Sequence, residues 1–299
     1  MAAGAIVNAM SIDVEDYFQV SAFDRVVPRS AWDSMESRVS GNTTRLLDLF
    51  DEYHVHATFF VLAWVAERHP ALVREIVRRG HEVASHGYGH ELVYNLTPEA
   101  FRADIRRAKQ VLEDAGGQPV AGYRAPSYSI TAKSMWALDV LIEEGYRYDS
   151  SIFPIRHDRY GVPGSPRHPY EIERASGRIV EAPPSTVAIG PLTLPVAGGG
   201  YFRLLPYRWT ERGLARLNRR ERKPAVFYLH PWEIDPDQPR LPADWLGRFR
   251  HYRNLHATEG RLRRLLRDFR FGPLRDVLAS RLASLARDGA PRLAQVAVR

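Results

Sequence analysis

Ala57-Thr58-Phe59-Phe60-Val61-Leu62 is an unbroken run of apolar and β-prone residues. Such a run is typical of a strand that is covered on both faces, as the strands of parallel sheets are. The spacing of apolar residues predicts a helix before it, over 40–53, and another after it, over 70–79, which Gly80 ends. This alternation of strands and helices predicts an α/β fold, in which helices wrap a parallel sheet.

The alternation continues along the chain. The sequence predicts further strands at 5–12, 81–85, 120–123, from Tyr148 onward and at 225–229, and further helices at 97–115, 133–144, 208–218 and 259–268. Residues 155–210 are rich in Pro and Gly, which predicts loops with short strands. A barrel or barrel-like sheet is the natural closure of this pattern, and such barrels carry their chemistry at the carboxyl ends of the strands.

Chain length and composition limit the kinds of domain and of metal site. The 299 residues fit one large α/β domain, or one domain with an appended piece. The basic, amphipathic tail over 271–299 is expected to be a docking helix or a partly ordered end. The chain has no cysteine, so a metal would have to be held by His, Asp or Glu, which points away from a structural zinc site.

The charge balance and the amino terminus bear on partners and location. A formal net charge of +7 fits an acidic glycan, a nucleic acid or an anionic membrane as partner, or a solvated arginine-rich surface. The first ten residues lack the basic start of a signal peptide, and no apolar run is long enough to span a bilayer. We therefore expect a cytoplasmic protein, with attachment to a membrane surface as the alternative, and no specific binding of nucleic acid.

Three carboxylates follow the first predicted strand, at Asp13, Glu15 and Asp16. Carboxylates this close repel one another when they are buried without a cation. Strand alternation places Asp13 and Glu15 on one face, and Asp16 could also turn inward after the strand ends. Because apolar residues precede this cluster and Tyr17 and Phe18 follow it, a functional cluster is favoured over an exposed acidic loop.

Two histidines follow the third predicted strand, in Ser85-His86-Gly87-Tyr88-Gly89-His90. The spacing of His86 and His90 is common in zinc sites, and the glycines between them allow a tight bend. Imidazole suits zinc and other late divalent ions. Two histidines and one carboxylate leave positions open for water and substrate, which predicts a catalytic metal site.

A third cluster, Arg124-Ala125-Pro126-Ser127, follows the fourth predicted strand. Arg124 is either a clamp that keeps a carboxylate such as Asp13 ionised or a surface residue before a turn. Pro126 stiffens the loop, so the next backbone N–H, that of Ser127, is a candidate oxyanion donor.

A fourth cluster, Leu229-His230-Pro231-Trp232-Glu233, follows the last clear strand. His230 is a candidate general acid if its pKa lies near the working pH, and a hydrogen-bonded core histidine otherwise. Asp149, which also ends a predicted strand, is the expected partner that would orient His230 and support its charged form.

In this order the motifs resemble those of the NodB-like polysaccharide deacetylases, carbohydrate esterase family 4. The resemblance covers about residues 5–270 and rests on the acidic strand end, the run 57–62, His86-x-x-x-His90, Arg124-x-Pro126 and Leu229-His230. The variants Ser11-Ile12-Asp13-Val14-Glu15-Asp16-Tyr17-Phe18 and His230-Pro231-Trp232-Glu233 look more like a subgroup found with exopolysaccharide and exosortase loci. The resemblance to this family implies a distorted (β/α) barrel of about seven parallel strands. It also implies a catalytic domain over 1–270, of which about 170–270 is subgroup-specific.

The resemblance also implies a reaction and a set of roles. The reaction is removal of N-acetyl groups from amino sugars of a polysaccharide or oligosaccharide, with a divalent metal, zinc foremost. Carried over to this chain, Asp13 would be the general base and Arg124 would orient it. The backbone N–H of Ser127, with the metal, would hold the oxyanion. His230 would protonate the leaving amine, and Asp149 would support it.

This chain departs from the family pattern at two places. The family usually has two adjacent aspartates, the second being the ligand, whereas Val14 follows Asp13 here. The third ligand beside the two histidines is therefore either Glu15, favoured by register, or Asp16, favoured because aspartate is the more usual ligand. Ser127 stands where an aromatic often occurs, which would alter the substrate cleft.

Two other functions stay open at this stage. Some relatives with the same barrel resemble hydrolases of cyclic amides such as allantoinases, which would need a closed pocket. The stretch over 198–203, together with Trp232, hints instead at a sugar-stacking cleft, with Tyr201 and Trp232 as predicted substrate-binding residues. A non-catalytic module for an anionic glycan or nucleic acid would explain the charge of +7, but not the nearly full set of chemical groups.

Overall fold

A computed structural model describes residues 6–157 and 159–288 of the chain. Within these residues the strands are β1 Val7–Val14, β2 Thr58–Val61, β3 Glu82–Ser85, β4 Gly122–Tyr123, β5 Tyr148–Asp149, β6 Tyr170–Arg174, β7 Gly177–Glu181, β8 Thr186–Ile189, β9 Leu192–Pro195, β10 Val226–Leu229 and β11 Arg270–Gly272. The predicted strands are therefore present, most of them one or two residues shorter than the sequence pattern suggests.

Seven strands run parallel in one sheet, in the order β10-β1-β2-β3-β4-β5-β7. At one edge β6 is antiparallel to β7, and β11 is parallel to β1. The strands β8 and β9 form a separate hairpin, within the region predicted to hold loops and short strands. The prediction of an α/β fold with about seven parallel strands is confirmed. Because these strands are parallel neighbours, their carboxyl ends meet at one rim.

The two ends of the parallel run are linked through a single residue. Ser185 follows β7, and its backbone N–H donates to the Val226 carbonyl of β10 over 3.1 Å. Its hydroxyl accepts the Val226 N–H over 2.7 Å. In the described part of the chain no strand ladder joins β7 to β10, so the sheet is not closed by strand pairing, and Ser185 supplies hydrogen bonds between its two ends.

Helices connect the strands and cover the sheet. Those described are α1 Val39–Glu52, α2 Ala63–Arg68, α3 Pro70–Arg78, α4 Pro98–Gly116, α5 Ala137–Glu143, α6 Gly199–Leu204, α7 Tyr207–Arg216, α8 Trp245–Tyr252, α9 Leu255–Asp268, α10 Leu274–Val277 and α11 Ala279–Asp288. α4 starts as predicted: the Thr97 hydroxyl accepts the N–H of Ala100, and Pro98 occupies the first position. None of the described helices has the length and apolar character needed to cross a membrane.

The sequence pattern missed the short helices α2, α6 and α8, and it started α5 four residues too early, at 133 where the helix begins at Ala137. Helices of six to eight residues complete about two turns, so they lack the repeated apolar spacing that identifies longer ones. α2 also follows β2 almost directly, and its buried Ala63, Val65 and Ala66 look like a continuation of the strand run.

Alternate strand residues point into the barrel and form a buried apolar cluster that includes Ala9, Phe60 and Ala84. Leu274 and Leu285, from α10 and α11, join this cluster, so the C-terminal helices close the barrel at the amino ends of the strands. Of the two possibilities for the tail, the described part is a docked helix pair; the predicted tail residues 289–299 lie outside the described residues.

Candidate metal centre

Two strand ends bring one carboxylate and two imidazoles together at the carboxyl rim of the barrel. Glu15 follows β1, and His86 and His90 follow β3. The Glu15 Oε2 atom lies 2.7 Å from His90 Nε2 and 3.9 Å from His86 Nε2. The three ligand atoms all lie within 4.8 Å of one another, and the three side chains are buried. Three ligand atoms arranged in this way could hold a metal ion.

Asp16, the other candidate for the third ligand, lies outside this cluster. Its Oδ2 atom accepts hydrogen bonds from the Ser37 hydroxyl at 2.9 Å, the Arg38 N–H at 2.8 Å and the Val39 N–H at 3.1 Å. The carboxylate thereby satisfies free N–H groups at the start of α1. The proposal of Asp16 as a ligand is corrected: consecutive residues turn to opposite sides after β1, and Glu15 is the one that faces the histidines.

A backbone carbonyl fixes which nitrogen His86 presents to the cluster. The His86 Nδ1 atom lies 2.8 Å from the Arg124 carbonyl oxygen. A carbonyl can only accept, so Nδ1 carries the proton and the lone pair of Nε2 faces Glu15. Burial lowers the pKa of His86 to about 4, which keeps the ring neutral near pH 7.

The loop between the two histidines is anchored by Asp104 of α4. Its carboxylate accepts the Tyr88 N–H at 3.0 Å and the Gly89 N–H at 3.4 Å. Gly87 has a φ of 74°, and a Cβ atom there would lie 3.0 Å from Asp104 Oδ2, so the predicted tight bend is located at this glycine. The sequence reasoning missed Asp104, because nothing distinguishes it from the other charged residues of an amphipathic helix.

The donor set of this cluster fits a divalent cation. The buried Glu15 Oε2 atom has no hydrogen bond of acceptable geometry among the described residues. Burial alone would raise the pKa of Glu15, but positive charge at His90, with smaller effects of His230 and His86, outweighs burial and lowers it to about 2. The Glu15 carboxylate is therefore stabilised by positive charge beside it. One carboxylate and two imidazoles are ligands that zinc and other late divalent ions bind.

Arg124, directly after β4, holds Asp13 beside the cluster. Its Nη1 atom donates to Asp13 Oδ1 over 2.6 Å and to the Ser11 hydroxyl over 2.9 Å. Its Nε and Nη2 atoms donate to the carbonyl and the hydroxyl of Ser150 over 3.2 and 2.8 Å. The guanidinium is fully buried and lies 4.1 Å over the Phe60 ring. Arg124 is thus an internal clamp for Asp13 and not a surface residue.

His230, directly after β10, is oriented by Glu233 and not by Asp149. The His230 Nδ1 atom lies 2.5 Å from Glu233 Oε1, and Glu233 Oε2 accepts the Arg203 Nε–H over 2.9 Å. A 3₁₀ turn over Pro231–Ile234 places residues three apart side by side. The predicted pairing of His230 with Asp149 is wrong. The signal for Glu233 was present in the sequence, as the i, i+3 spacing after a histidine-proline pair.

The other nitrogen of His230 faces the cluster. Its Nε2 atom lies 3.7 Å from Glu15 Oε1 and 3.9 Å from Asp13 Oδ2. Burial disfavours the charged ring, but the hydrogen bond with Glu233 and the charges of Glu15, Glu233 and Asp13 outweigh it and raise the pKa of His230 to about 9. A cation at Glu15 would lower that pKa by repulsion. His230 Nε2 is therefore positioned to donate a proton to a molecule bound at the rim.

Asp149 belongs to a buried layer behind Arg124. It pairs in register with Glu181 across β5 and β7. Its Oδ1 atom accepts the Ser151 hydroxyl over 2.5 Å, and Ser151 in turn accepts the Ala125 N–H over 2.8 Å. Burial raises the pKa of both carboxyls, and the charge of Asp149 raises that of Glu181 further. Asp149 thus acts on the site only through the segment that positions Arg124.

Ser127, the predicted oxyanion donor, lies in the loop directly after β4. Ser127 and Tyr128 both have left-handed backbone conformations, with φ of 51° and 54°. The Ser127 hydroxyl lies 2.8 Å from the Ser21 hydroxyl. Two successive left-handed residues turn the chain sharply at the rim, and the donation of the Ser127 N–H to an oxyanion stays a prediction.

The two predicted sugar contacts differ in their surroundings. Trp232 is 3% exposed, and its ring stacks between His230, at 5.1 Å, and His251, at 4.1 Å. Both faces are covered, so the prediction of Trp232 as a stacking surface is wrong; its Nε1–H instead donates to Glu15 Oε1 over 3.2 Å. Tyr201 is half-buried, with its hydroxyl 3.3 Å from that of Tyr160, and its contact with a sugar stays a prediction.

A cleft opens beside His230. It has a volume of about 230 Å³ and is lined on one side by His230, Trp232 and Glu233, and on the other by Leu246, Gly247 and Arg250 of α8. The missed helix α8 therefore lines the cleft together with His230, which also faces the candidate metal centre.

Two family models match successive parts of the chain. Residues 24–148 match the model described as polysaccharide deacetylase, and residues 150–279 match a domain of unknown function, DUF3473. The first match includes His86, His90 and Arg124, whereas Asp13, Glu15 and His230 lie outside it. The site is therefore assembled from residues inside and outside the matched segment.

Curated relatives agree with the first match. A peptidoglycan deacetylase of Helicobacter pylori is 32% identical over 108 residues, 36% of this chain and 36% of the relative. A chitooligosaccharide deacetylase of Bradyrhizobium sp. is 30% identical over 99 residues, 33% of this chain and 43% of the relative. The aligned part thus spans less than half of these relatives.

Two solved structures share the fold over nearly the whole chain. One, from Mycobacterium smegmatis and provisionally named a polysaccharide deacetylase, has a TM-score of 0.62 at 22% identity, covering 96% of this chain and 93% of the other. The other, Puue allantoinase, has a TM-score of 0.63 at 17% identity, covering 95% and 93%. At these identities the likeness establishes the fold alone.

Proposed function

We propose that this protein is a metal-dependent hydrolase that removes N-acetyl groups from amino sugars of a polysaccharide, because residues 24–148 match the polysaccharide deacetylase family model. The observation that carries the proposal is the cluster of Glu15, His86 and His90, with Asp13 and His230 beside it. The motif variants quoted above further support a role in the synthesis or modification of an exopolysaccharide.

Glu15, His86 and His90 would hold the divalent cation, for which zinc is the first candidate. When bound, a cation of this kind lowers the pKa of a water molecule and polarises a carbonyl group. The Arg124 carbonyl keeps His86 in the tautomer that presents Nε2. The Trp232 Nε1–H similarly donates to Glu15 Oε1, the oxygen that does not face His90. His86 and Glu15 are thus each oriented by a hydrogen bond with a residue that is not itself a proposed ligand.

Asp13 is proposed as the general base. Its Oδ1 atom is held by Arg124, which leaves Oδ2 directed toward the rim, 3.9 Å from His230 Nε2. Amide hydrolysis requires a base that removes a proton from the attacking water, and a carboxylate with one oxygen clamped is fixed in orientation for that step. The Ser127 N–H would donate to the developing oxyanion at the same rim.

His230 is proposed as the general acid. Glu233 accepts from Nδ1, so the remaining proton of a charged ring lies on Nε2, on the side of the site. The leaving amine of the sugar needs that proton, because an amide anion is too basic to leave. Base and acid are thus separate groups, each held by a partner outside the reaction, Arg124 for Asp13 and Glu233 for His230.

The test is release of acetate from N-acetylglucosamine oligomers by protein loaded with zinc, compared with ring opening of allantoin under the same conditions. We expect acetate release that depends on Asp13 and His230, and no ureide hydrolysis. The allantoin arm is needed because the fold is shared with a solved allantoinase. Ring opening without acetate release would replace the proposal by the cyclic-amide alternative, and absence of both would remove the enzymatic proposal for these substrates.

A further inference from the structure

Three large apolar side chains project together from α8. Trp245 is 76% exposed, Leu246 46% and Phe249 42%. The rings of Trp245 and Phe249 are nearly parallel, at 16°, with centroids 5.6 Å apart, so they protrude as one unit. Scattered exposed apolar residues need no explanation, whereas an adjacent group on one short helix marks a surface that is covered by a partner. We call these three residues the α8 patch.

Arginines surround the α8 patch. Arg240, Arg248, Arg250 and Arg253 are exposed. Among the described residues none of the four has an ion-pair partner, in contrast to arginines such as Arg79, which contacts three carboxylates. Asp244 precedes α8 as its N-cap and accepts the Gly247 N–H over 2.6 Å, and α8 itself contains no acidic residue. The surface is therefore apolar at its centre and cationic around it.

We propose that the α8 patch docks the protein on an anionic phospholipid bilayer, with Trp245, Leu246 and Phe249 entering the interface and the surrounding arginines contacting lipid phosphates. An interfacial helix has this composition: aromatic and aliphatic residues on one side, arginines around them.

Other binding partners would match either the apolar side chains or the arginines around them, but not both. A second copy of the chain would bring two rings of arginines against each other, and like charges at that distance repel. A neutral glycan could stack on Trp245, but it would leave Leu246 and the arginine charges without a counterpart. A nucleic-acid duplex would satisfy the arginines and leave three apolar side chains against phosphates. An anionic bilayer offers both an apolar interior and a negative surface.

Docking through α8 would also orient the cleft beside His230 with respect to the membrane. Leu246 and Arg250 also line the cleft beside His230, so docking through α8 would bring the mouth of the cleft to the bilayer surface. If the proposed function holds, the substrate would be a glycan held at the membrane. The docking itself does not rest on the proposed function, since it is argued from α8 and the residues around it.

The test is co-sedimentation of the full chain with vesicles of phosphatidylcholine alone and with about 30% phosphatidylglycerol. We expect binding only to the anionic vesicles, weakened at about 0.5 M salt because the charges are screened. The double variant Trp245→Ala/Phe249→Ala should bind about tenfold more weakly. Its matched control is Ile189→Ala/Leu192→Ala, which removes two apolar side chains of comparable exposure (47% and 59%) from the β8–β9 hairpin.

A charge-reduced pair separates the role of the arginines near α8 from net charge. Arg240→Gln/Arg248→Gln should weaken binding, whereas Arg219→Gln/Arg220→Gln, which removes the same charge at other exposed positions, should not. Because Trp245 and Phe249 are exposed, their variant should keep the parent's circular dichroism and its acetate release from soluble oligomers.

Three results would overturn the docking proposal. The first is equal vesicle binding by the α8 variant and the parent. The second is an equal loss in the hairpin control. The third is unchanged vesicle binding together with a raised KM for soluble oligomers in the α8 variant, which would make the patch a sugar-binding surface. Failure of acetate release in all proteins, with vesicle binding as expected, would count against the proposed function alone.

Discussion

Two glutamates are buried in the same barrel, one at each end, and they differ in what surrounds them. Glu82, at the amino end, accepts hydrogen bonds from the Thr58 hydroxyl at 2.6 Å, the Tyr148 hydroxyl at 2.9 Å and the Arg275 N–H at 3.0 Å. Glu15, at the carboxyl end, presents an oxygen without a hydrogen bond of acceptable geometry to two imidazoles. Burial raises the pKa of Glu82, whereas imidazole charge outweighs burial and lowers that of Glu15 to about 2.

The difference teaches that burial of a carboxylate does not by itself indicate chemistry. The acceptors of Glu82 are used up by neighbours that tie α10 to the sheet, so Glu82 belongs to the fold. Glu15 keeps an oxygen without such a hydrogen bond where three strand ends converge, beside imidazoles whose charge lowers its pKa. A carboxylate oxygen that faces two imidazoles in this way is available as a metal ligand.

The largest effect is expected for Glu15→Gln, which removes the charge and keeps the shape of the side chain. We expect loss of bound zinc and a fall in acetate release of about 1,000-fold or more, because one of three ligands is lost. Metal content by mass spectrometry and acetate release measure the two effects. Glu82→Gln is the matched control and should keep both. Retention of zinc at full occupancy by Glu15→Gln would show that the two ends do not differ in this way.

Glu82→Ala should have the larger effect when the two glutamates are compared by stability. We expect it to lower the free energy of unfolding by about 3 kcal/mol, because three buried donors lose their acceptor. Denaturant unfolding measures the change. Glu15→Ala in the metal-free protein should cost less, because Glu15 accepts one hydrogen bond of good geometry, from Trp232, whereas Glu82 accepts three. Equal losses of stability in the two alanine variants would contradict the assignment of the amino end to the fold.

The pairing of His230 with Glu233 gives a smaller effect, confined to the reaction. Glu233→Gln should lower kcat about tenfold to a hundredfold without loss of metal. Glu233 raises the pKa of His230, so the protonated acid is retained to higher pH in the parent. As pH rises, the Glu233→Gln variant should therefore lose activity at a lower pH than the parent. Asp149→Asn serves as the comparison. If Asp149→Asn shifts the pH at which activity is lost and Glu233→Gln does not, Asp149 would be the partner of His230.

The smallest effect concerns Asp16, the carboxylate next to Glu15. Asp16→Ala should cost about 1 kcal/mol of stability, as the loss of a helix cap does, and leave metal content unchanged. Thermal unfolding and metal analysis of one preparation measure both. Loss of zinc at unchanged stability would return Asp16 to the ligand set.

The fold was largely predictable from the sequence because the apolar runs of the barrel strands are unambiguous. The pairs His86 with His90 and Arg124 with Asp13 were also predictable, since each follows a strand and parallel strand ends meet. What failed depended on single residues after a strand, where the direction of a side chain is set by the local turn. Whether Glu15 or Asp16 faces inward is one such case.

Other misses have a different cause. The prediction of Asp149 as partner of His230 did not consider a 3₁₀ turn of four residues, which places Glu233 beside His230. Trp232 was taken as a sugar contact, although an aromatic residue at a strand end can equally fill the core, and it is 3% exposed. Asp104 acts through backbone N–H groups of a loop, which no side-chain pattern reveals.

The central claim is that the carboxyl end of the barrel binds a divalent cation through Glu15, His86 and His90. Anomalous diffraction at the zinc edge, from crystals of the protein grown with zinc, tests it most directly. The account predicts one strong peak about 2.0–2.2 Å from a Glu15 oxygen and from the Nε2 atoms of both histidines. A fully occupied peak bound to Asp16 in place of Glu15, or no peak at this rim, would contradict it.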